Sequence, residues 1–234
     1  MDSNSLIWSE RIKLFSESNK QPMVPNSYLI RMLYHQQIVP AASKKLKMLD
    51  VGCCDGGNMI YFAKCGYQVS GVDIVKEEIE LTANNLSKEG FVPNALKIVS
   101  NEKLDFPDNE FDFVLCWKTI YHTGSLEKME KLLKEMVRVL KIGKALIINT
   151  LENDSLHILS EKIGKNLYRK SRGNGRFSYF FNFEDPNDFL CLLSKYGIDN
   201  VKIGSHSGHL LHKPGTDNRK IKRSFRIYYG EKVR

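Results

Sequence analysis

The stretch Met48-Leu49-Asp50-Val51-Gly52-Cys53-Cys54-Asp55-Gly56-Gly57-Asn58 constrains the fold of this chain more than any other. A short apolar run breaks into a glycine-rich turn, and the residues beyond the turn read as a helix that stops at Gly66. Strand, tight turn and helix in that order aim backbone N–H groups and the positive end of a helix dipole at one point, which suits a nucleotide-like ligand. The remaining chain repeats the alternation. Strands are expected at about Lys47–Val51, Gln68–Asp73, Leu96–Val99, Phe111–Trp117, Ala145–Leu151, Val201–Ile203 and Phe225–Tyr229. Helices are expected at Asn58–Cys65, Lys76–Lys88 and Leu126–Leu140, each stopped by a glycine, and from Asp185-Pro186 to Tyr196, with aspartate as the N-cap and proline at the first helical position. This pattern predicts a doubly wound α/β fold, with a seven-stranded, mostly parallel sheet and helices on both faces.

At 234 residues the chain has room for one domain with appendages. Residues 1–45, broken by Pro22, Pro25 and Pro40, read as an N-terminal helical extension; residues 46–234 form the ligand-binding domain, with 152–184 inserted after strand five. No apolar run approaches the roughly 18 residues of a spanning helix, and the start lacks the basic-then-apolar layout of a signal peptide, so no membrane contact and a cytoplasmic location are expected. The five cysteines form no C-x-x-C pair and no zinc spacing. His206, His209 and His212 recur at threes, but Gly208 and Pro214 argue against a helix presenting them, so a polar pocket wall is expected there and no metal.

The net charge of +8 is local. The segment from Lys213 to Arg234 carries eight basic and two acidic residues, so it alone contributes +6. A second cluster, Lys162, Lys165, Arg169, Lys170, Arg172 and Arg176, has no acid within it. A concentrated positive field suits an anionic partner.

The dinucleotide fingerprint G-x-G-x-x-G would need glycine at Cys54. Asp50-x-Gly52-x-Cys54-x-Gly56 instead resembles the D-x-G-x-G-x-G loop of class I S-adenosylmethionine-dependent methyltransferases, with one glycine replaced. Gly71-Val72-Asp73, which ends strand two, lies 21 residues after Gly52. Leu104-Asp105-Phe106-Pro107-Asp108-Asn109-Glu110-Phe111-Asp112-Phe113-Val114 looks like that family's signature before strand four, and Val139-Leu140-Lys141-Ile142-Gly143-Lys144-Ala145 resembles its V-L-K-P-G-G turn. The resemblance covers about residues 47–151 and implies that the last strand runs antiparallel.

It also implies roles. Gly52, Cys53 and Gly56 would line the methionine part of S-adenosylmethionine, and Asp50 would approach its ammonium group. Asp73 would hold the ribose, Ser100 or Asn101 would stand near the adenine, and Cys116 and Trp117 would border cofactor and substrate. The chemistry is direct displacement of a methyl group from a sulfonium, releasing S-adenosylhomocysteine, with positioning as the main catalytic device and a base needed when the acceptor is a hydroxyl. His122 is the candidate base; its alternative role is to fix its loop by hydrogen bonding. Ligands of open α/β sheets bind beyond the carboxyl ends of the strands, so both basic segments would face the substrate. Tyr121, Arg169, Arg172, Arg176, Tyr179, His206, His209 and Arg219 are the candidate substrate residues, with the aromatic run Phe177–Phe183 as a lid. An anionic small molecule, phosphorylated, carboxylated or nucleotide-linked, is the expected substrate, and O-methylation the expected reaction. RNA or another nucleic acid is the runner-up, although Cys116-Trp117-Lys118-Thr119 stands where amino-methylating nucleic-acid enzymes carry [DNS]-P-P-[YFW]. A non-catalytic cofactor-binding domain is the third reading.

Overall fold

The computed structural model describes residues 25–35, 45–99, 103–152, 155, 160–172, 175–210 and 221–234. Its elements, in chain order, are α1 (Ser27–His35), β1 (Lys47–Val51), α2 (Gly57–Lys64), β2 (Gln68–Asp73), α3 (Lys76–Lys88), β3 (Ala95–Ile98), β4 (Phe111–Cys116), a short 3-10 turn (Ile120–Thr123), α4 (Leu126–Val139) and β5 (Leu140–Leu151). There follow β6 (Glu161–Gly164), β7 (Leu167–Ser171), β8 (Phe177–Phe181), α5 (Pro186–Lys195), β9 (Ile198–Leu210) and β10 (Ile221–Lys232). Seven strands make one sheet in the order β3-β2-β1-β4-β5-β10-β9; β6, β7 and β8 make a second, smaller one. The first five strands pair in parallel and β10 runs antiparallel to both neighbours, so the expected fold class is the observed one. Among the described residues, no helix is long and apolar enough to cross a membrane.

Side-chain alternation on the strands divides the core in two. On one face, Leu49, Val51, Val114, Leu146 and Ile148 pack against α4 and α5. Helix α4 shows why. The Ser125 hydroxyl accepts from the Lys128 N–H at 3.2 Å and caps its first turn, and Met129, Leu132, Leu133, Met136 and Val137 recur at helical spacing and are all buried. Each fully buried side chain of this kind contributes roughly 1.5–3 kcal/mol. On the other face, Met48, Phe113, Leu115, Trp117, Ile147 and Ile227 pack against α1 and α2, which contribute Leu29, Leu33, Met59, Ile60 and Phe62. Helix α1 is tied to the start of α2 where the Asn26 N–H donates to Asn58 Oδ1 at 3.0 Å.

Two expectations change. The helix expected to run to Leu140 ends at Val139, and β5 begins at once, taking in the stretch read as a turn; Gly143 sits there at φ +71°. The strands expected at Val201–Ile203 and Phe225–Tyr229 are 13 and 12 residues long. Their outer ends, Ser207–Leu210 and Ile221–Ser224, pair with each other beyond the last β5 partner, Leu151, and form an arm at the carboxyl edge. Small, polar and basic residues there carry no apolar period, so the backbone ladder alone marks them as strand. The insertion after strand five, expected to carry an aromatic lid, folds as the β6–β8 sheet, held on the 3-10 turn by a cluster of Tyr121, Leu151, Tyr168, Phe180 and Phe225.

Candidate functional site

Strand β1 delivers Asp50 to the carboxyl edge, level with Gly71 on β2 and Leu115 on β4. The turn that follows is bound on both sides. The N–H groups of Gly52 and Cys53 donate to the Val72 carbonyl at 2.8 and 3.0 Å, while the Thr82 hydroxyl donates to the Cys54 carbonyl at 2.6 Å and Asn85 Nδ2 to that of Asp55 at 3.0 Å. Gly52 sits at φ +77°, and a side chain there would run into that of Thr119, so the glycine is required twice over.

Cys54 takes the left-handed conformation a glycine would supply, at φ +53°, and its N–H donates to Asp73 Oδ2 at 3.1 Å. Its side chain turns away to α3, where the thiol donates to Glu78 Oε1 at 3.3 Å. Burial, then the negative charge of Glu78, push that thiol well above its usual range, so it is no ready thiolate. Cys53 is buried with its sulfur 3.8 Å from the Thr82 hydroxyl, and burial raises its thiol as well.

Two carboxylates frame this loop in different ways. Asp73 accepts backbone N–H bonds on both oxygens, from Val75 at 3.0 Å and from Cys54. That leaves further lone pairs for two vicinal hydroxyls. Asp50 is 1% exposed, and neither of its oxygens has a hydrogen-bond partner. Burial, followed by the charges of Asp73 and Asp55, holds its carboxyl well above the usual carboxylate range. A buried charge without a partner costs several kcal/mol, and a bound cation offsets that cost. Together the unpartnered Asp50, the open glycine turn and the doubly anchored Asp73 fit the ammonium, backbone and ribose of a sulfonium nucleoside. These are the residues that would hold S-adenosylmethionine.

At the end of β4, Cys116 and the following Trp117 are buried, and burial together with the charge of Asp50 raises the Cys116 thiol. His122 lies half-buried on the 3-10 turn, its ring 4.6 Å from that of Tyr121 and 5.0 Å from that of Phe180, with its backbone N–H donating to the Thr119 carbonyl. Tyr121 is buried in the aromatic cluster beside it. Tyr179 is exposed on β8, with its backbone over Gly124. Arg169 forms an exposed two-pronged pair with Glu161 at 2.7 and 3.2 Å, and Lys162 pairs with Glu184 at 2.8 Å. The basic cluster is therefore partly neutralised by acids that flank it in sequence. Arg172 Nε donates to Ser178 Oγ, and its backbone pairs with exposed Arg176. His206 stacks on Tyr28 of α1. The backbone of His209 pairs with Lys222; Ser100, Asn101 and Arg219 lie outside the described residues.

Some contributors carry no motif. Arg138 fixes the loop between β3 and β4: it donates to the carbonyls of Leu104 and Phe106 and to Asp108 Oδ1, and pairs with Glu135, which itself accepts from the Leu104 N–H. Asn149 is fully buried at the carboxyl end of β5 and accepts the Lys118 N–H at 2.5 Å. Its only signal in sequence is a polar residue closing the apolar run Leu146-Ile147-Ile148.

A family of methyltransferase domains matches residues 49–148, the region that holds this loop and both carboxylates. Ajmaline N-methyltransferase of Rauvolfia serpentina is 34% identical over 170 residues, 71% of this chain and 57% of that protein. A sterol 4-C-methyltransferase of Caenorhabditis elegans is 32% identical over 108 residues, 45% of this chain and 31% of that one. The chain thus spans from about a third to just over half of these curated relatives. Among solved structures, a SAM-dependent methyltransferase from Methanosarcina mazei superposes with a TM-score of 0.65 over 86% of this chain and 98% of that one at 20% identity, which shows a shared fold. Residues 49–148 are therefore a methyltransferase domain, and the loop, the carboxylates and the topology are those expected of the class I S-adenosylmethionine-dependent type.

Proposed function

We propose that this protein transfers a methyl group to an oxygen of a small anionic metabolite. The observation that carries the transfer chemistry is Asp50, a buried carboxylate whose missing partner is a cation, set beside the bidentate anchor Asp73. Bound S-adenosylmethionine supplies an electrophilic methyl on a sulfonium. The chain's own groups do the rest. Asp50 accepts from the ammonium, Asp73 accepts from the ribose hydroxyls, and the ordered turn from Gly52 to Gly56 fixes the approach line of donor and acceptor. His122 stands on the turn after β4 at the carboxyl edge, and takes the proton of the accepting hydroxyl. The aromatic cluster that seats the β6–β8 sheet beside His122 keeps water from that proton, so the small sheet serves as the substrate cover.

The preference for an anion is supported by the cations at the same edge, Lys118 after β4 and Arg31 on α1, both of which act on His206. Two likenesses point to small molecules. The Rauvolfia relative is named for the alkaloid ajmaline. A Haemonchus contortus phosphoethanolamine N-methyltransferase, solved with phosphomonomethylethanolamine and S-adenosylhomocysteine, superposes with a TM-score of 0.60 at 14% identity over 90% of this chain and 54% of that one. The test is incubation of the protein and methyl-labelled S-adenosylmethionine with a metabolite extract, followed by anion exchange. Label should be retained by the exchanger and resist nuclease; label in the flow-through, or in nuclease-sensitive polymer, rejects the substrate class.

A further inference from the structure

Among the described residues, the buried polar atoms at the carboxyl edge without a hydrogen-bond partner include two neighbouring donors, Trp117 Nε1 and Asn149 Nδ2. Asn149 is fully buried and Trp117 is 7% exposed. The fold puts them side by side. Strands β4 and β5 pair in parallel with Leu115 opposite Ile147 and Cys116 opposite Ile148, so Trp117 and Asn149 fall at the next step, on the face that α1 covers. The Lys118 N–H donates to Asn149 Oδ1, which settles the amide's orientation and leaves its NH₂ as the unpaired end. Native proteins seldom leave one such donor buried and unpaired, and two on adjacent strands mark a place where an acceptor binds.

The surroundings say what kind of acceptor. On β10 and β9, Ile227 continues the row of Trp117 and Asn149, and Phe225 stands opposite His206 one step further along. Lys118 Nζ lies 5.5 Å from the centre of the Phe225 ring, and Tyr28 stacks on His206. Arg31 lies one helical turn beyond Tyr28 on α1, and burial, then the positive charges of Arg31 and Lys118, hold His206 below its ordinary value. Neutral donors at the floor and cations at the rim suit an oxyanion on an apolar or flat body. Asp50, at the end of β1, repels such a group, so the oxyanion belongs on the β5 side of the edge, away from that carboxylate.

We propose that Trp117 and Asn149 form a donor pair that holds a carboxylate or phosphate oxygen of the methyl-accepting molecule, with Lys118 and Arg31 completing the oxyanion site. The proposal rests on the methyltransferase reading and deepens it by naming how the substrate is chosen.

The chain has two tryptophans, so Trp8→Phe leaves Trp117 as the sole indole N–H resonance. That variant, saturated with S-adenosylhomocysteine, is titrated with benzoate, phenyl phosphate and inorganic phosphate in the millimolar range while indole and side-chain amide signals are followed by NMR. The expected result is a saturable shift of the Trp117 indole and Asn149 amide protons. Asn149→Asp keeps the acceptor for Lys118 but reverses the other end, and should weaken the anion by at least about tenfold with S-adenosylhomocysteine affinity within about twofold. Trp117→Phe, which keeps the ring and loses the N–H, should act in the same direction and serves if Asn149→Asp does not fold. No saturable shift with S-adenosylhomocysteine bound overturns the proposal and leaves the cofactor reading intact. So does a shift already complete with S-adenosylhomocysteine alone and absent with methylthioadenosine, because the pair would then hold the cofactor's own carboxylate. Failure to bind S-adenosylhomocysteine at all rejects the underlying reading, and this proposal with it.

Discussion

Asp50→Asn separates what this carboxylate costs the empty protein from what it contributes to binding. In the ligand-free fold both Asp50 oxygens are buried without partners, and burial with the charges of Asp73 and Asp55 raises its pKa well above normal. The sign follows from proton binding. A raised folded-state pKa means the folded protein binds the proton more tightly than the unfolded chain, whose carboxyl titrates near about 3.9. Asp50 therefore adds stability that is fully present below that value and is lost as pH rises through the higher folded-state value. Asparagine carries no charge, so at neutral pH the variant should be the more stable form, by about 1–3 kcal/mol if the gain matches the desolvation penalty of one unpaired polar group. For a chain of this size, each kcal/mol moves the melting temperature by about 2–4 °C. The excess should shrink as pH falls below the folded-state pKa of Asp50; Asp73, also raised by burial, is common to both proteins and cancels in the comparison. Affinity for S-adenosylmethionine should fall by roughly 10- to 150-fold, the equivalent of about 1.5–3 kcal/mol for a hydrogen bond between charged groups. Melting curves against pH and calorimetric titration read both quantities. A variant that melts lower at neutral pH and binds the cofactor normally would refute the reasoning.

Cys54→Gly should keep turnover and raise stability by no more than about 1 kcal/mol, because it relieves a left-handed non-glycine residue but loses the thiol bond to Glu78; a complete loss of turnover with normal cofactor binding would assign the thiol a chemical role. Arg138→Ala removes one guanidinium from two carbonyls and two carboxylates, so about 2–4 kcal/mol of stability should be lost. Protection of amides in residues 103–108 should fall by hydrogen exchange well before that of β1; equal protection across both regions would contradict the clamp.

The site was legible where chemistry requires a special backbone, and illegible where it requires only a neighbour. Gly52 and Gly56 announce a left-handed turn, and an acidic residue at Asp73 announces a strand end, because few residue types serve there. Asn149, Arg138 and Arg31 serve through what lies beside them in space, and a lone polar residue after an apolar run reads equally well as a strand end. The ion pairs of the basic cluster were hidden for the same reason. Glu161 lies just outside Lys162–Arg176 in sequence but opposite Arg169 in the small sheet, and Glu184, beyond β8, reaches back to Lys162. The arm at the carboxyl edge was hidden because its residues alternate no apolar face, whereas β1 and β4 are apolar and buried along nearly their whole length.

The measurement that bears most directly on the account is calorimetric titration of the purified chain with S-adenosylmethionine, S-adenosylhomocysteine and NAD, repeated with Asp73→Ala. One site for both sulfur nucleosides is predicted, weakened roughly 10- to 150-fold by Asp73→Ala, the range expected for hydrogen bonds to a charged group. Tight NAD binding with no S-adenosylmethionine binding would contradict the account, since the loop from Asp50 to Gly56 would then serve a different nucleotide.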